Sequence, residues 1–324
     1  MTDRPITSKR LPGMDHDLYP YSSITTRPPL SWPGKNQLAV WVVLHLEQWE
    51  LQSPASAVRD ARFKGEFGNF FPDYRTYSTR EYGNRVGIFR VLEVLDRYQI
   101  PVTVAANAAL CTAHPQLIDE CLNRGYEIAA HGSHATRMIT SKMSQAQEEG
   151  YIHQAMDTVR HSSGAGKVGW IGQDFGESPR TPHLLAQAGA DYLGDWPNDD
   201  QPYWLSPKPT IPGTLSIPGL VSLPYHVEWD DGTMMALRQL TAPRYGQMVR
   251  EAADRLHQDA ASEAARMMSL GLHPWVIGQP QRIRYLDEVL AHLRKMDGLW
   301  FATGREIAAS FRDQIPMPSP AAEI

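Results

Sequence analysis

Gly125-Tyr126-Glu127-Ile128-Ala129-Ala130-His131-Gly132-Ser133-His134 and, far downstream, Leu272-His273-Pro274-Trp275-Val276-Ile277-Gly278-Gln279-Pro280 follow one pattern. In each, an apolar run of strand character ends on an imidazole. In α/β proteins the carboxyl ends of parallel strands line the ligand crevice. Two histidine-tipped strands therefore predict one shared mouth. A third run, Gln37 to Leu46 (QLAVWVVLHL), is almost continuously apolar, as expected of a central strand covered on both faces. It delivers His45 and Glu47, two residues apart and so on one face of a strand.

Outward from these runs the pattern alternates. Strands are predicted over 101–106, 126–130, 168–171, 191–193, 220–224, 269–273 and 299–302. Helices are predicted over 82–98, 117–124, 145–160, 181–188, 247–268 and 281–296, with a closing helix after 302. This βα alternation predicts a parallel sheet. Residues 1–36, rich in Pro, Ser, Thr and Arg, read as an irregular arm. Residues 37–311 read as one domain and 312–324 as a tail, with 51–79 a long loop over the site.

With 324 residues, 42% hydrophobic and 21% charged, the chain has the material for one large core. A net charge of -5 with no Lys/Arg block argues against nucleic-acid binding. Two cysteines make no disulfide framework. No run is long enough to span a membrane and the first residues lack an apolar leader core, so a cytoplasmic protein with a small-molecule substrate is expected.

Several ordered segments carry a resemblance: Glu81 through Gly87, Gly125 through His131, Gly169-Trp170 through Glu177-Ser178-Pro179, Asp199-Asp200-Gln201-Pro202-Tyr203, His273 through Pro280, and Trp300 through Ile307. Together, between Gln37 and Phe311, they resemble the polysaccharide deacetylase (NodB-homology) superfamily, and most closely the branch holding metal-independent allantoinase and related cyclic-amide hydrolases. The resemblance implies an α/β fold, a distorted (β/α) barrel of the NodB type, and a homo-oligomer. It implies hydrolysis of a carbon–nitrogen bond outside peptides, in a small cyclic amide, imide, ureide or N-acyl compound. A metal-dependent N-deacetylase of an acetylated sugar and an inactive binding protein on the same fold are the alternatives.

The residues depart from the family at several points. Glu47 matches one of the family's paired acids, and His45 stands where the other belongs. The family's metal motif is His-x-x-x-His; here Ala135 lies four after His131, and His134 lies three after. The expected metal set is Glu47, His131 and His134, with any divalent ion, Zn for example, weakly held or absent. Glu47, expected to have a raised pKa at its strand end, is the candidate base. His131 is the candidate positioning group and His273 the candidate acid for the leaving nitrogen, a role suited to an imidazole near neutral pH. Each has a plain alternative: an ion-pair partner for Glu47, backbone-bonded loop anchors for the histidines. His45, Arg85, Trp170, Asp174, Glu177, Trp196, Asp199, Tyr203 and His226 are candidate substrate contacts. The aromatics among them would be flat walls for a ring and the acids would be polar contacts, against the alternatives of core packing and turn chemistry. The oxyanion donor is open between backbone amides after Glu47 and Arg85.

Overall fold

The computed structural model describes residues 13–16, 18–55, 57, 72–205, 219–262 and 264–317. Much of the arm's first part, most of 56–71 in the expected loop, and the tail from 318 lie outside the described residues. The axis of the molecule is β1 (Leu38–Leu46), buried along its whole length. A parallel strand covered on both faces needs apolar residues at every position, hence the unbroken run. Its two faces nonetheless go to different places. Leu38, Val40, Val42, Leu44 and Leu46 join the core under the helices, while Ala39, Trp41 and Val43 join a second cluster inside the curled sheet. His45 continues that inner row to the point where the interior opens.

β7 (Arg266–Leu272) pairs in parallel with one edge of β1. The other edge is shared: β8 (Leu299–Phe301) takes Leu38–Val40 and β2 (Val102–Ala106) takes Val42–Leu46. β3 (Glu127–Ala130) follows β2, again parallel. Trp170 then bridges Ala130 to Leu193 of β4 (Tyr192–Leu193). β6 (Leu220–Ser222) pairs in parallel with β4, and β5 (Tyr203–Leu205) runs antiparallel to β6. The Met267 N–H donates to Asp200 O at 2.8 Å, drawing the far edge back to β7. The sheet is thus a distorted barrel whose ladder is incomplete among the described residues.

Helices α1 (Tyr74–Tyr82), α2 (Ile88–Arg97), α3 (Ala108–Ala113), α4 (Pro115–Leu122), α5 (Gln145–Ser163), α6 (Thr181–Gln187), α7 (Ala242–Ser262), α8 (Ile283–Leu293) and α9 (Gly304–Gln314) fill the connections. α2 shows the logic: Ile88, Val91, Leu92, Val94 and Leu95 fall on one stripe and are buried. α1 lies where the sequence reading placed loop, and one π-helical turn, Gly83–Gly87, joins it to α2. α7 stops at Ser262 rather than 268, β5 forms where only a turn and site segment was expected, and the strand expected over 168–171 contracts to the bridge at Trp170. The arm is tied into the molecule: the indole of Trp32 is buried and donates to Arg266 O at 2.6 Å. No described helix is long and apolar enough to cross a membrane.

Candidate active site

The carboxyl ends of β1, β3 and β7, the segment after Trp170 and the segment after β6 surround a cavity of about 130 Å³. His45, Glu47, His131, Asp174 and His273 all line it, together with Trp49, Arg80, Gln173, Asp230 and Trp275. Three strand ends far apart in sequence therefore meet at one rim.

Glu47 is 8% exposed. Its Oε1 accepts from Gln173 Nε2 at 2.9 Å and lies 3.9 Å from His131 Nε2. Gln173 is itself held by Asn107, whose amide donates to Gln173 Oε1 at 3.3 Å. The turn that aims Gln173 has left-handed backbone at Asp174 (φ 50°) and Phe175 (φ 53°), a conformation that non-glycine residues adopt at a cost. Burial alone would raise the Glu47 carboxyl. The nearby His131 imidazole and the charges of His273 and Arg80 outweigh it, holding the group well below the carboxylate range. The sequence expectation of a raised Glu47 is thus corrected: cations converge on it from three elements.

His273 is the opposite case. Its Nδ1 meets Asp231 Oδ1 at 2.6 Å and its backbone N–H donates to the same carboxylate at 2.9 Å. Burial would lower the imidazole, but the Asp230 and Asp231 carboxylates and the Asp231 bond push it up to about 9. With Nδ1 committed to Asp231, Nε2 is the nitrogen left for a reactant. His45 is buried, stacked on His273 (centroids 4.2 Å, planes 5° apart), and bonded through Nε2 to Tyr225 OH at 2.7 Å. Burial, then the charges of His273 and His131, push it well below the ordinary histidine value, so it is neutral at physiological pH. His131 Nδ1 bonds to Ile171 O at 2.5 Å.

Arg85 does not join the site. It sits on the π turn, largely exposed, 3.8 Å from Glu81. The guanidinium at the cavity is Arg80, one helical turn and a half earlier, lying over the Trp275 ring at 3.3 Å and the Trp49 ring at 4.4 Å. His134 also stays out. Gly132 (φ +68°) turns the chain sharply, and a Cβ there would meet Tyr151 Oη. No helical turn follows His131, and His134 faces Glu50 at 4.0 Å instead. Glu50, bound to Thr136 (2.6 Å) and Arg137 (2.9 Å), pins that loop. The expected set Glu47, His131 and His134 is therefore not assembled.

Trp170 is buried in the core, and Glu177 accepts from Trp196 Nε1 at 2.9 Å; none of the three lines the cavity. His226 is held by Ser269, its N–H donating at 2.6 Å, and stacks on Trp229 away from the cavity. Asp199 and Tyr203 line a different cavity, about 360 Å³, where Asp199 pairs with Arg27 at 2.6 Å. Backbone and side-chain bonds of 199–201 to Ala265 and Met267 put that cavity near the amino end of β7, the opposite rim. Gln173, Arg80, Tyr225 and Asp231 were missed as individual groups, although the strand predicted over 220–224 ends just before Tyr225 and its neighbour His226 was a candidate.

Among the described residues, His45, Asp230 and His273 offer metal-ligand atoms within 4.8 Å of one another. They do not fit a divalent ion as placed. Imidazole binds metal in its ring plane, at about 2.0–2.1 Å for Zn. Two rings stacked parallel at 4.2 Å leave no point near both planes at that distance. The Asp230 oxygens are also occupied, by Tyr225 OH and by the Thr233 N–H, each at 2.7 Å.

Residues 72–193 match the model of the polysaccharide deacetylase family. A Schizosaccharomyces pombe (strain 972) protein carrying a polysaccharide deacetylase name is 26% identical over 88% of this chain and 93% of its own length. A Helicobacter pylori (strain 26695) peptidoglycan deacetylase is 23% identical over 72% of this chain and 87% of its own. The crystal structure of Puue allantoinase superposes with a TM-score of 0.77 at 26% identity, covering 93% of this chain and 99% of that one.

Proposed function

We propose, starting from the chain's membership of the polysaccharide deacetylase (NodB-homology) superfamily, that it hydrolyses a non-peptide carbon–nitrogen bond in a small cyclic amide, imide, ureide or N-acyl compound. The observation that carries this reading is a buried carboxylate, Glu47, and an aspartate-paired imidazole, His273, lining one small cavity. Glu47 is held ionised and His273 is held protonated, the states a base and an acid need at neutral pH. Water attacks the carbonyl carbon as Glu47 takes its proton. The tetrahedral oxyanion forms among His131 and Arg80. The C–N bond then breaks as His273 Nε2 gives its proton to the departing nitrogen. These steps route nothing through a metal: among the described residues the set offering three ligand atoms, His45, Asp230 and His273, does not fit a divalent ion as placed.

A cavity of about 130 Å³ walled by Trp49 and Trp275 favours a compact, flat substrate. The second reading is an N-deacetylase of an acetylated sugar, favoured by the names of the S. pombe and H. pylori relatives. A cytoplasmic site of action and a homo-oligomer belong to the same proposal; the buried free thiols of Cys111 and Cys121 are in keeping with the first. Turnover of cyclic amides, ureides and N-acetyl sugars, each with and without chelator, separates the readings. Hydrolysis of a ring amide that survives chelation supports the first. Chelator-sensitive release of acetate from an oligosaccharide replaces it with the second.

A further inference from the structure

We propose that Tyr225 is a positioning residue that, with Asp230, fixes the tautomer of His45 and so forces a shared proton between His45 and His131, giving the cavity floor an imidazole–imidazolium pair beside Glu47. The argument is donor and acceptor bookkeeping along one buried chain. At one end, Asp230 accepts from the Thr233 N–H through Oδ1 and from the Tyr225 hydroxyl through Oδ2, both at 2.7 Å. The phenol, walled by Trp41 and Phe175, has one hydrogen, and Asp230 takes it. Burial, and then Asp230, hold that phenol well above its ordinary value, so it keeps its proton. The Tyr225 oxygen can then only accept from His45 Nε2, 2.7 Å away, which places the His45 proton on Nε2 and leaves Nδ1 bare.

At the other end, Ile171 O is a carbonyl and can only accept, so His131 carries a proton on Nδ1. His45 Nδ1 and His131 Nε2 then face each other at 3.4 Å, and with both rings neutral they would oppose two lone pairs in a buried site. Opposed acceptors without a proton between them are costly between two buried rings. One added proton removes the conflict and makes the pair a cation, resting on His131. Glu47 Oε1, 3.9 Å from His131 Nε2, balances it. The charge does not need a metal, and it stands where a developing oxyanion needs one. That last consequence rests on the hydrolase reading; the proton arrangement does not.

The test is a long-range proton–nitrogen correlation spectrum of the full chain labelled with [15N]histidine, at about pH 8, where an ordinary histidine of pKa about 6.5 is neutral. His131→Gln and Asp231→Asn assign the signals. Two doubly protonated rings are expected, His131 and His273, with His45 protonated on Nε2 alone. Tyr225→Phe frees His45 to turn its proton to Nδ1 and donate to His131, so the His131 ring becomes neutral and one of the two signals is lost. A wild-type spectrum with His45 protonated on Nδ1, or with a neutral His131, overturns the proposal, and that spectrum decides even where Tyr225→Phe fails to fold. With a substrate in hand, Tyr225→Phe is expected to lower kcat by about tenfold or more with KM nearly unchanged, as for a lost oxyanion charge. A panel without turnover defeats the hydrolase reading and leaves the spectra to judge the proton arrangement.

Discussion

Glu47 and His273 reach opposite charge states through their neighbours rather than through burial, since both are buried. Cations gather on the carboxylate; two aspartates gather on the imidazole. Glu47→Gln and His273→Ala should each lower kcat by about 10²-fold or more with the fold intact, the usual scale for acid–base groups, as steady-state turnover with circular dichroism will show. Near-normal turnover of either removes that residue from the mechanism. Asp231 supplies a sharper test. The ion pair exists between about pH 6, where the buried Asp231 titrates, and about pH 9, where His273 does. Activity that needs the acid form of His273 should fall above about pH 9. Asp231→Asn removes one raising charge, so the basic limb of the pH profile of kcat should move to lower pH; an unmoved limb disproves the link. At this scale the sequence showed Glu47, His131 and His273, because each closes an apolar strand and leaves a polar tip with few other uses. It hid Gln173, Arg80 and Asp231, which come from turns and a helix whose rotation no periodicity fixes. Arg85 was the wrong arginine because it lies five residues on, with its side chain exposed beside Glu81, while Arg80 lines the cavity.

Elements carry those side chains, and one helix start is fitted to a site loop. Gly87, at the end of the π turn, faces Pro274: an added Cβ would overlap the Pro274 carbonyl, O and C alike. The segment it touches follows directly on His273. Gly87→Ala must therefore move backbone rather than a flexible side-chain tip. We expect a loss of about 1–3 kcal/mol in chemical denaturation, the scale of overpacking a tight contact, together with reduced turnover. Unchanged stability and activity would mean the loop is free to give way. Long amphipathic runs such as α2, α5 and α8 and the apolar run of β1 were legible because one period or one continuous run fits them. The boundary between α7 and β7 was not: Met267 and Met268 suit a helix by propensity, and only pairing with Ala39 and Val40 makes them strand. His134 shows the same limit, since spacing by three brings residues together only on a helix, and Gly132 turns the chain instead.

On the scale of the whole molecule, buried carboxyls decide how stability follows pH. Asp195 and Glu177 lie close enough behind the site to repel, and neither lines the cavity. Burial is the first cause in both; it pushes Asp195 up to about 7 against the Gly172 N–H bond at 2.5 Å, and Glu177 well above the ordinary range. A carboxyl whose folded pKa lies above its unfolded value of about 3.9 binds more protons when folded, so it favours the fold at low pH and loses that contribution as pH rises toward 7. His273 adds a second loss at higher pH: its raised value stabilises the fold below about 6.5, and the gain disappears as pH passes about 9. Glu47 works in the other direction, its lowered pKa favouring the fold above the unfolded value and failing in acid. Asp195→Asn isolates the first effect. An amide keeps an oxygen for the Gly172 N–H but cannot ionise, so at pH 5, where Asp195 is protonated, the variant should be nearly as stable as the parent. At pH 8 the parent holds a buried charge that the variant lacks, and removing it also relieves Glu177. The variant should then be more stable by about 1–3 kcal/mol in urea denaturation, the scale of an uncompensated buried polar group. A variant equally destabilised at both pH values would show that Asp195 is ionised and favourably bonded throughout.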